Sequence, residues 1–290
     1  MTFTTLLHEI NNNILTITLN RPKQLNAFTV EMANELIAAF EQANENDEIR
    51  AIVVTGSGKA FCAGMDLSID GNVFGLDESL QPTLRDMKTR LHEKQIEEGV
   101  RDTGGQVALA IFNCKKPVIA AINGAAVGIG ATMTCAMDIR LASENAKVGF
   151  VFNKIGITPE ACSSWFLPRI VNMGTALEWV YSGDLIRANE LERKGFLNSV
   201  ERQESLLDKA YEIAARIAQH SPVAIALTRQ MMYRNAALPS PLEAHEIDSL
   251  AIYYASQKSG KEGVQAFLEK RPANYTDKAS SDMPPFYPWW

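Results

Sequence analysis

The chain has 290 residues, 46% hydrophobic and 21% charged, with a formal net charge of −6. This is ordinary globular composition with enough chain to bury a core, and its acidic balance argues against nucleic acid as a partner. No apolar run approaches the ~18 residues of a membrane span, and residues 1–9 lack the basic and apolar regions of a secretory leader, so a cytoplasmic protein is expected.

Read in order, Leu6 to Glu9 and Ile14 to Leu19 form a hairpin around Asn11, Asn12 and Asn13. Pro22 ends the second strand. Thr29 is the N-cap of a helix over 30–45, with Met32, Leu36, Ile37 and Phe40 on one face. Ile52 to Thr55 is a short buried strand. The stretch Ala60-Phe61-Cys62-Ala63-Gly64-Met65-Asp66-Leu67 follows as a glycine-bearing turn, expected to lead into a helix capped by Asp66. Residues 68–100 are rich in charge from Arg85 to Glu98 and read as either a solvated helix or a lid.

A helix is expected near Gln106 to Phe112, then the most apolar strand, Pro117 to Ile122. A second turn follows, Asn123-Gly124-Ala125-Ala126-Val127-Gly128-Ile129-Gly130, with a helix from Ile129 to Ala136. Asp138 to Ala142 and Lys147 to Phe152 are predicted strands. Helices are predicted from Ser163, over Ala176 to Tyr181 and Ala188 to Lys194, and over 204–219, 222–235, 241–257 and 261–270. Ser199 to Arg202 is a last strand. The tail, Met283 to Trp290, is too rich in proline for a helix and too aromatic to stay exposed. Two strand-turn-helix corners can aim two backbone N–H groups at one point, which is what a developing oxyanion requires.

These segments carry a resemblance. Asn20-Arg21-Pro22 with Leu25-Asn26-Ala27, Phe61 to Leu67, Lys116 to Gly124 with Gly128 and Gly130, and Asp138 to Ala142 resemble the crotonase superfamily, the enoyl-CoA hydratase/isomerase group. So do Gly156, Pro159, Gly183, Ala188 and Gly195, and Glu262-Gly263 to Phe267 with Lys270-Arg271-Pro272. The similarity runs from about Leu6 to Arg271. It implies an α/β fold: a ββα spiral core over 1–200 and a helical trimerisation region with an aromatic tail over 201–290. It implies an acyl-CoA thioester as ligand, no cofactor beyond that coenzyme A, and a homotrimer or dimer of trimers.

The resemblance places the thioester carbonyl between the N–H groups of Met65 and Ile129. It makes Gly64, Gly128 and the Ala63 carbonyl, which would take the adenine amino group, part of the site. It suggests Lys23, Leu25, Ala27, Asp66, Phe267 and Lys270 as further coenzyme A contacts, although Asp66 also reads as a structural cap. Hydratases of the group use two glutamates, and here the matching positions are Thr132 and Phe152. Neither takes a proton from water. The string Pro159-Glu160-Ala161-Cys162-Ser163-Ser164 is similar instead to Δ3,Δ2-enoyl-CoA isomerases, whose single base would be Glu160, its pKa raised by burial beside Phe152 and Trp165. Asp102 is a second candidate carboxyl, or a helix cap. The leading expectation is an isomerase. The alternatives are a hydratase or a thioester or carbon–carbon hydrolase using Glu160 and/or Asp102, and a non-catalytic acyl-CoA binder. Cys62, Cys114, Cys135 and Cys162 are expected as buried free thiols, and no histidine matches a motif.

Overall fold

The computed structural model describes residues 3–68 and 70–290; Met1 and Thr2 of the expected N-terminal lead, and Ile69 of the 68–100 excursion, lie outside the described residues. Strand β1 (Leu6–Asn11) and strand β2 (Ile14–Leu19) form the expected hairpin. Asn12 and Asn13 turn it with φ of 48° and 63°, a conformation that asparagine tolerates better than most residues. Helix α1 (Val30–Glu45) starts at Thr29, whose hydroxyl accepts from the Met32 N–H at 3.1 Å.

From there the chain winds as a spiral of two sheets and a layer of helices. Strand β3 (Ala51–Gly56) enters one sheet and β4 (Ala60–Cys62) the other. Two short helices, α2 (Leu84–Thr89) and α3 (Lys94–Gly99), precede α4 (Thr103–Asn113). The next turn repeats the pattern with β5 (Val118–Ile122), β6 (Ala125–Val127) and α5 (Ile129–Cys135). A third supplies β7 (Ile139–Ser143), β8 (Lys147–Gly149), α6 (Ser163–Val171) and α7 (Met173–Ser182). Strand β9 (Leu185–Arg187), helix α8 (Ala188–Arg193) and strand β10 (Ser199–Glu201) close the spiral. The sheets run β1-β2-β3-β5-β7-β10 and β4-β6-β8-β9.

The larger sheet is buried on both faces, which is why its central strands read as continuous apolar runs. Ile52 and Val54 point into the main core, while Ala51 and Val53 point the other way. That second face is covered by Leu206, Ala210 and Ala214 of α9 (Leu206–Ala218). The expected boundary at residue 200 therefore falls inside a packed layer, since α9 lies directly on the sheet.

Several expectations need correction. The strand predicted over Lys147 to Phe152 stops at Gly149, and a 3-10 turn over Val151–Ile155 follows. This swings Phe152 out of the sheet. No helix follows the first glycine turn among the described residues before Leu84. Asp66 instead ion-pairs with Arg21 at 2.8 Å and accepts from the Ser68 N–H and hydroxyl. Those partners hold its carboxyl down at about 2. The excursion combines helical and covering roles: Thr83 and Asp86 make a capping box for α2, while Phe74 reaches a cavity.

The last helices are α10 (Pro222–Asn235), α11 (Pro241–Gln257) and α12 (Ser259–Glu269). The tail returns onto them: Phe286, Tyr287 and Trp289 pack against Val223, Leu227 and Ala251. Arg229 ties α10 to the spiral. Its guanidinium donates to the Ile111, Phe112 and Cys114 carbonyls at the end of α4 and pairs with Asp138 at 2.9 Å. Replacing Arg229 by Met leaves the half-buried Asp138 charge without its cation, and leaves the three carbonyls only their second donors, Gln230 Nε2 on Phe112 and Cys114 and the Cys114 N–H on Ile111. The expected cost is about 3–5 kcal/mol, read from the urea-unfolding midpoint, and a change under about 1 kcal/mol would contradict this role.

Candidate active site

The two glycine turns meet because β4 and β6 are adjacent parallel strands, pairing Ala60 with Ala125 and Cys62 with Ala126. Both turns leave the same end of the second sheet. Contact between them demands glycine. A Cβ on Gly130 would sit 2.3 Å from the Cys62 carbonyl oxygen, and one on Gly64 3.3 Å from that of Val127. Gly128, at φ +55°, lies against Gly64.

Residues 21–28 brace the first turn from outside. Buried Asn26 donates to the Ser57 and Ala60 carbonyls and accepts from the Arg21 N–H. The Ala63 N–H donates to Leu25, the Phe28 N–H to Gly64, and the Asp66 N–H to Phe28. This ladder skips Met65, so the Met65 N–H is left without a protein acceptor among the described residues. The Ile129 N–H, first in α5, is likewise free. Both residues line one cavity of about 160 Å³.

The cavity is apolar, walled by Leu67, Phe74, Val127, Phe152, Ile155 and Ile157, with Ala63, Gly64 and Gly128 beside the two free N–H groups. Glu160 and Asp102 supply its carboxyls. Glu160 follows the Gly156–Pro159 loop and precedes α6, so it is not a first-turn helix acid. What exposure it retains faces the cavity. Burial pushes its carboxyl up to about 8; the Thr132 hydroxyl, 2.6 Å from Oε1, works against that rise, and the neighbouring Asp102 charge adds to it. Burial therefore favours the protonated form of Glu160. The two residues after it, Ala161 and Cys162, take φ of 56° and 54°, a left-handed pair of the kind that gathers at working sites.

Asp102 is both things expected of it. It caps α4, accepting from the Gly105 N–H, and the same oxygen accepts from the Ala161 N–H at 3.2 Å. It therefore pins the Glu160 loop to α4 while lying within hydrogen-bonding reach of Glu160. Gly104 was expected only near the start of this helix, not as part of the site. A Cβ there would come 1.9 Å from Glu160 Oε2, so glycine makes room for the carboxyl. The Gly104-Gly105 pair at a helix start was the available signal.

Other expected residues stand elsewhere. Thr132 is fully buried behind Glu160 and does not line the cavity. Trp165 is not a wall of the site; it packs edge-on against Phe112 and Phe166 beneath Arg169. Ala27 accepts from the Arg21 guanidinium. Lys23 and Leu25 are exposed on the bracing strap. Phe267 and Lys270 are exposed at the end of α12, which packs on α11, and neither lines the cavity of its own chain. All four cysteines are free, three of them buried. No group of metal-ligating side chains occurs among the described residues, and no helix there is long and apolar enough to cross a membrane.

The family profile described as enoyl-CoA hydratase/isomerase matches residues 9–278. An enoyl-CoA hydratase of Alternaria alternata is 40% identical over 270 residues, covering 92% of this chain and 84% of that protein. The 1,2-epoxyphenylacetyl-CoA isomerase of Escherichia coli K12 is 31% identical over 276 residues, covering 94% and 98%. The crystal structure of an enoyl-CoA hydratase from Bacillus anthracis superposes with a TM-score of 0.81 at 30% identity, covering 94% of this chain and 99% of that one. With its spiral of paired sheets and its two opposed glycine turns, the chain belongs to the enoyl-CoA hydratase/isomerase family and is an acyl-CoA enzyme of that family.

Proposed function

We propose that this enzyme moves the double bond of an enoyl-CoA from Δ3 to Δ2, with Glu160 as the single base. The observation that carries the reading is one carboxyl of raised pKa in an apolar cavity shared with two free N–H groups. The thioester oxygen lies between the N–H groups of Met65 and Ile129. Ionised Glu160 takes a proton from C2, and the C–H electrons form a dienolate whose negative charge rests on that oxygen. The proton returns to C4, so the C3–C4 double bond becomes C2–C3. Atoms balance without a cofactor beyond the coenzyme A of the substrate. The Ala63 carbonyl accepts from the adenine amino group, and the strap bearing Lys23, Leu25 and Ala27 runs beside the coenzyme. Four free thiols suit a reducing cytoplasm.

A base with a pKa near 8 is strong enough to attack a thioester α-proton and still ionises near physiological pH. Because the ionised form is required, kcat/KM for a 3-enoyl-CoA should rise with pH and level off above about 8; a flat profile across that range would contradict the assignment. Glu160→Gln should lower kcat by about 10²–10⁴-fold with acyl-CoA affinity held within a few-fold. Turnover at the wild-type level in that variant would remove Glu160 from the role.

Asp102 favours a second reading, since it shares the cavity and reaches Glu160. Such a pair suits addition of water to a 2-enoyl-CoA, with Asp102 as base and Glu160 as acid. A 3-hydroxyacyl product from 2-enoyl-CoA, with no interconversion of 3-enoyl and 2-enoyl forms, would favour it. A pure binder would turn over neither substrate.

The enzyme is also proposed to assemble as a trimer or a dimer of trimers. Val264, Phe267 and Leu268 of α12 are 63%, 82% and 74% exposed, a density of apolar side chains that favours burial against another subunit. In that assembly Phe267 and Lys270 would serve a neighbour's coenzyme A. Light scattering should return three or six times the chain mass, and a monomer would overturn this reading.

A further inference from the structure

Two carboxyls stand together at the start of α4, and the chain makes room for both. Gly104 lacks the Cβ that would strike Glu160 Oε2, and Gly105 lacks the one that would strike both Asp102 oxygens. Each carboxyl has one oxygen satisfied and one left over. Glu160 Oε1 accepts from the Thr132 hydroxyl at 2.6 Å, and Asp102 Oδ1 accepts from the Gly105 and Ala161 N–H groups. Glu160 Oε2 and Asp102 Oδ2 have no donor among the described residues. Neither do they have a cation, since no lysine, arginine or histidine lines the cavity there. Arg101, next to Asp102 in the chain, is turned to Glu97 at 3.3 Å. Burial holds the thiols of Cys62 on β4 and Cys135 on α5 at about 12 and raises that of Cys162 in the Glu160 loop, so all three are neutral. The charge that Glu160 meets is therefore that of Asp102, at the N-terminus of α4, where the helix dipole favours an anion.

We propose that Asp102 is a positioning residue that acts through its charge: set against Glu160 with no cation between them, it drives Glu160 to take up the substrate proton at Oε2. Thr132 donates to Oε1 whether or not Glu160 carries a proton, so Oε2, the oxygen over Gly104, is the one that exchanges it. With both carboxyls ionised, the like charges repel in apolar surroundings that screen them little. A proton on Oε2 ends that repulsion, and in the empty site it can be donated to Asp102. Both effects favour the acid form of Glu160. The same relief accompanies removal of the proton from C2, so the repulsion stored in the pair favours the step that makes the enolate. Asp102 also holds the Ala161 N–H, which keeps the Glu160 loop, and with it the carboxyl, against α4.

The inference rests on Glu160 as base for its catalytic consequence, and the test separates the two. The Glu160 carboxyl is titrated by carbon-13 NMR in the unliganded full chain, assigned by its loss in Glu160→Gln, for wild type, Asp102→Asn and Asp102→Ser. In Asp102→Asn the amide oxygen keeps the Gly105 and Ala161 N–H groups, while the charge is gone and the amide nitrogen can donate to Glu160. Its midpoint should fall by about one pH unit or more. Asp102→Ser keeps a capping oxygen without charge or amide, and its midpoint should fall too. For Asp102→Asn, kcat/KM on a 3-enoyl-CoA should level off at a correspondingly lower pH, with a plateau about threefold or more below wild type because the base is weaker. A residue that only caps α4 would move neither quantity, so an unmoved midpoint in Asp102→Asn overturns the proposal. A midpoint lowered in Asp102→Asn but not in Asp102→Ser traces the shift to the new amide and also overturns it. So does a loss of about 100-fold or more in turnover with the profile unmoved, which would make Asp102 itself the base. If Glu160→Gln keeps its turnover, the base assignment fails, while the NMR midpoint still reports whether Asp102 governs the Glu160 proton.

Discussion

The structure depends on the contact between two turns that carry no side chain where they touch. Gly64, Gly128 and Gly130 let the ends of β4 and β6 press together until backbone meets backbone. A methyl group at Gly130 would strike the Cys62 carbonyl, which cannot move without displacing β4. That closeness brings two N–H groups to one cavity wall. Each is free for a local reason: the ladder with residues 25–28 uses Gly64 and Asp66 but skips Met65, and Ile129 begins a helix.

Around that contact the fold supplies rigidity on one side and polarity control on the other. The larger sheet, buried on both faces, fixes where each β–β corner emerges. Helices α4 and α5 then bring Asp102, Gly104 and Thr132 to the back of Glu160. The carboxyl is raised by burial more than it is lowered by its hydroxyl partner, which suits it to the proton transfer proposed for it. Of the two residues that the resemblance sets where hydratases carry glutamates, Thr132 donates to Glu160 and Phe152 is part of the apolar wall.

Much of this was legible in the sequence where the cause is local. The hairpin at Asn12 and Asn13, the Thr29 cap and the apolar central strands follow from turn chemistry and periodicity. The glycine turns were legible too, and so was Glu160 as a candidate, through the resemblance of the string around it. What escaped has tertiary causes. Strands β4, β6 and β9 are three residues each, too short for a period to show. Helices α2 and α3 are held by local caps and ion pairs and bury almost nothing, so no apolar stripe marks them. Gly104 is glycine because Glu160 passes over it, a contact that only the tertiary fold creates. Arg229 is marked by no motif, yet it is buried among carbonyls.

The central claim is that one thioester oxygen and one carboxyl meet in this cavity in a fixed relation. A crystal structure with a saturated acyl-CoA, which binds but lacks the double bond to be moved, tests it most directly. The account predicts the thioester oxygen about 2.7–3.1 Å from both the Met65 and the Ile129 nitrogens, with Glu160 Oε2 the carboxyl oxygen nearest C2. A thioester oxygen bound away from either nitrogen, or a C2 that faces Phe152 with Glu160 out of reach, would contradict it.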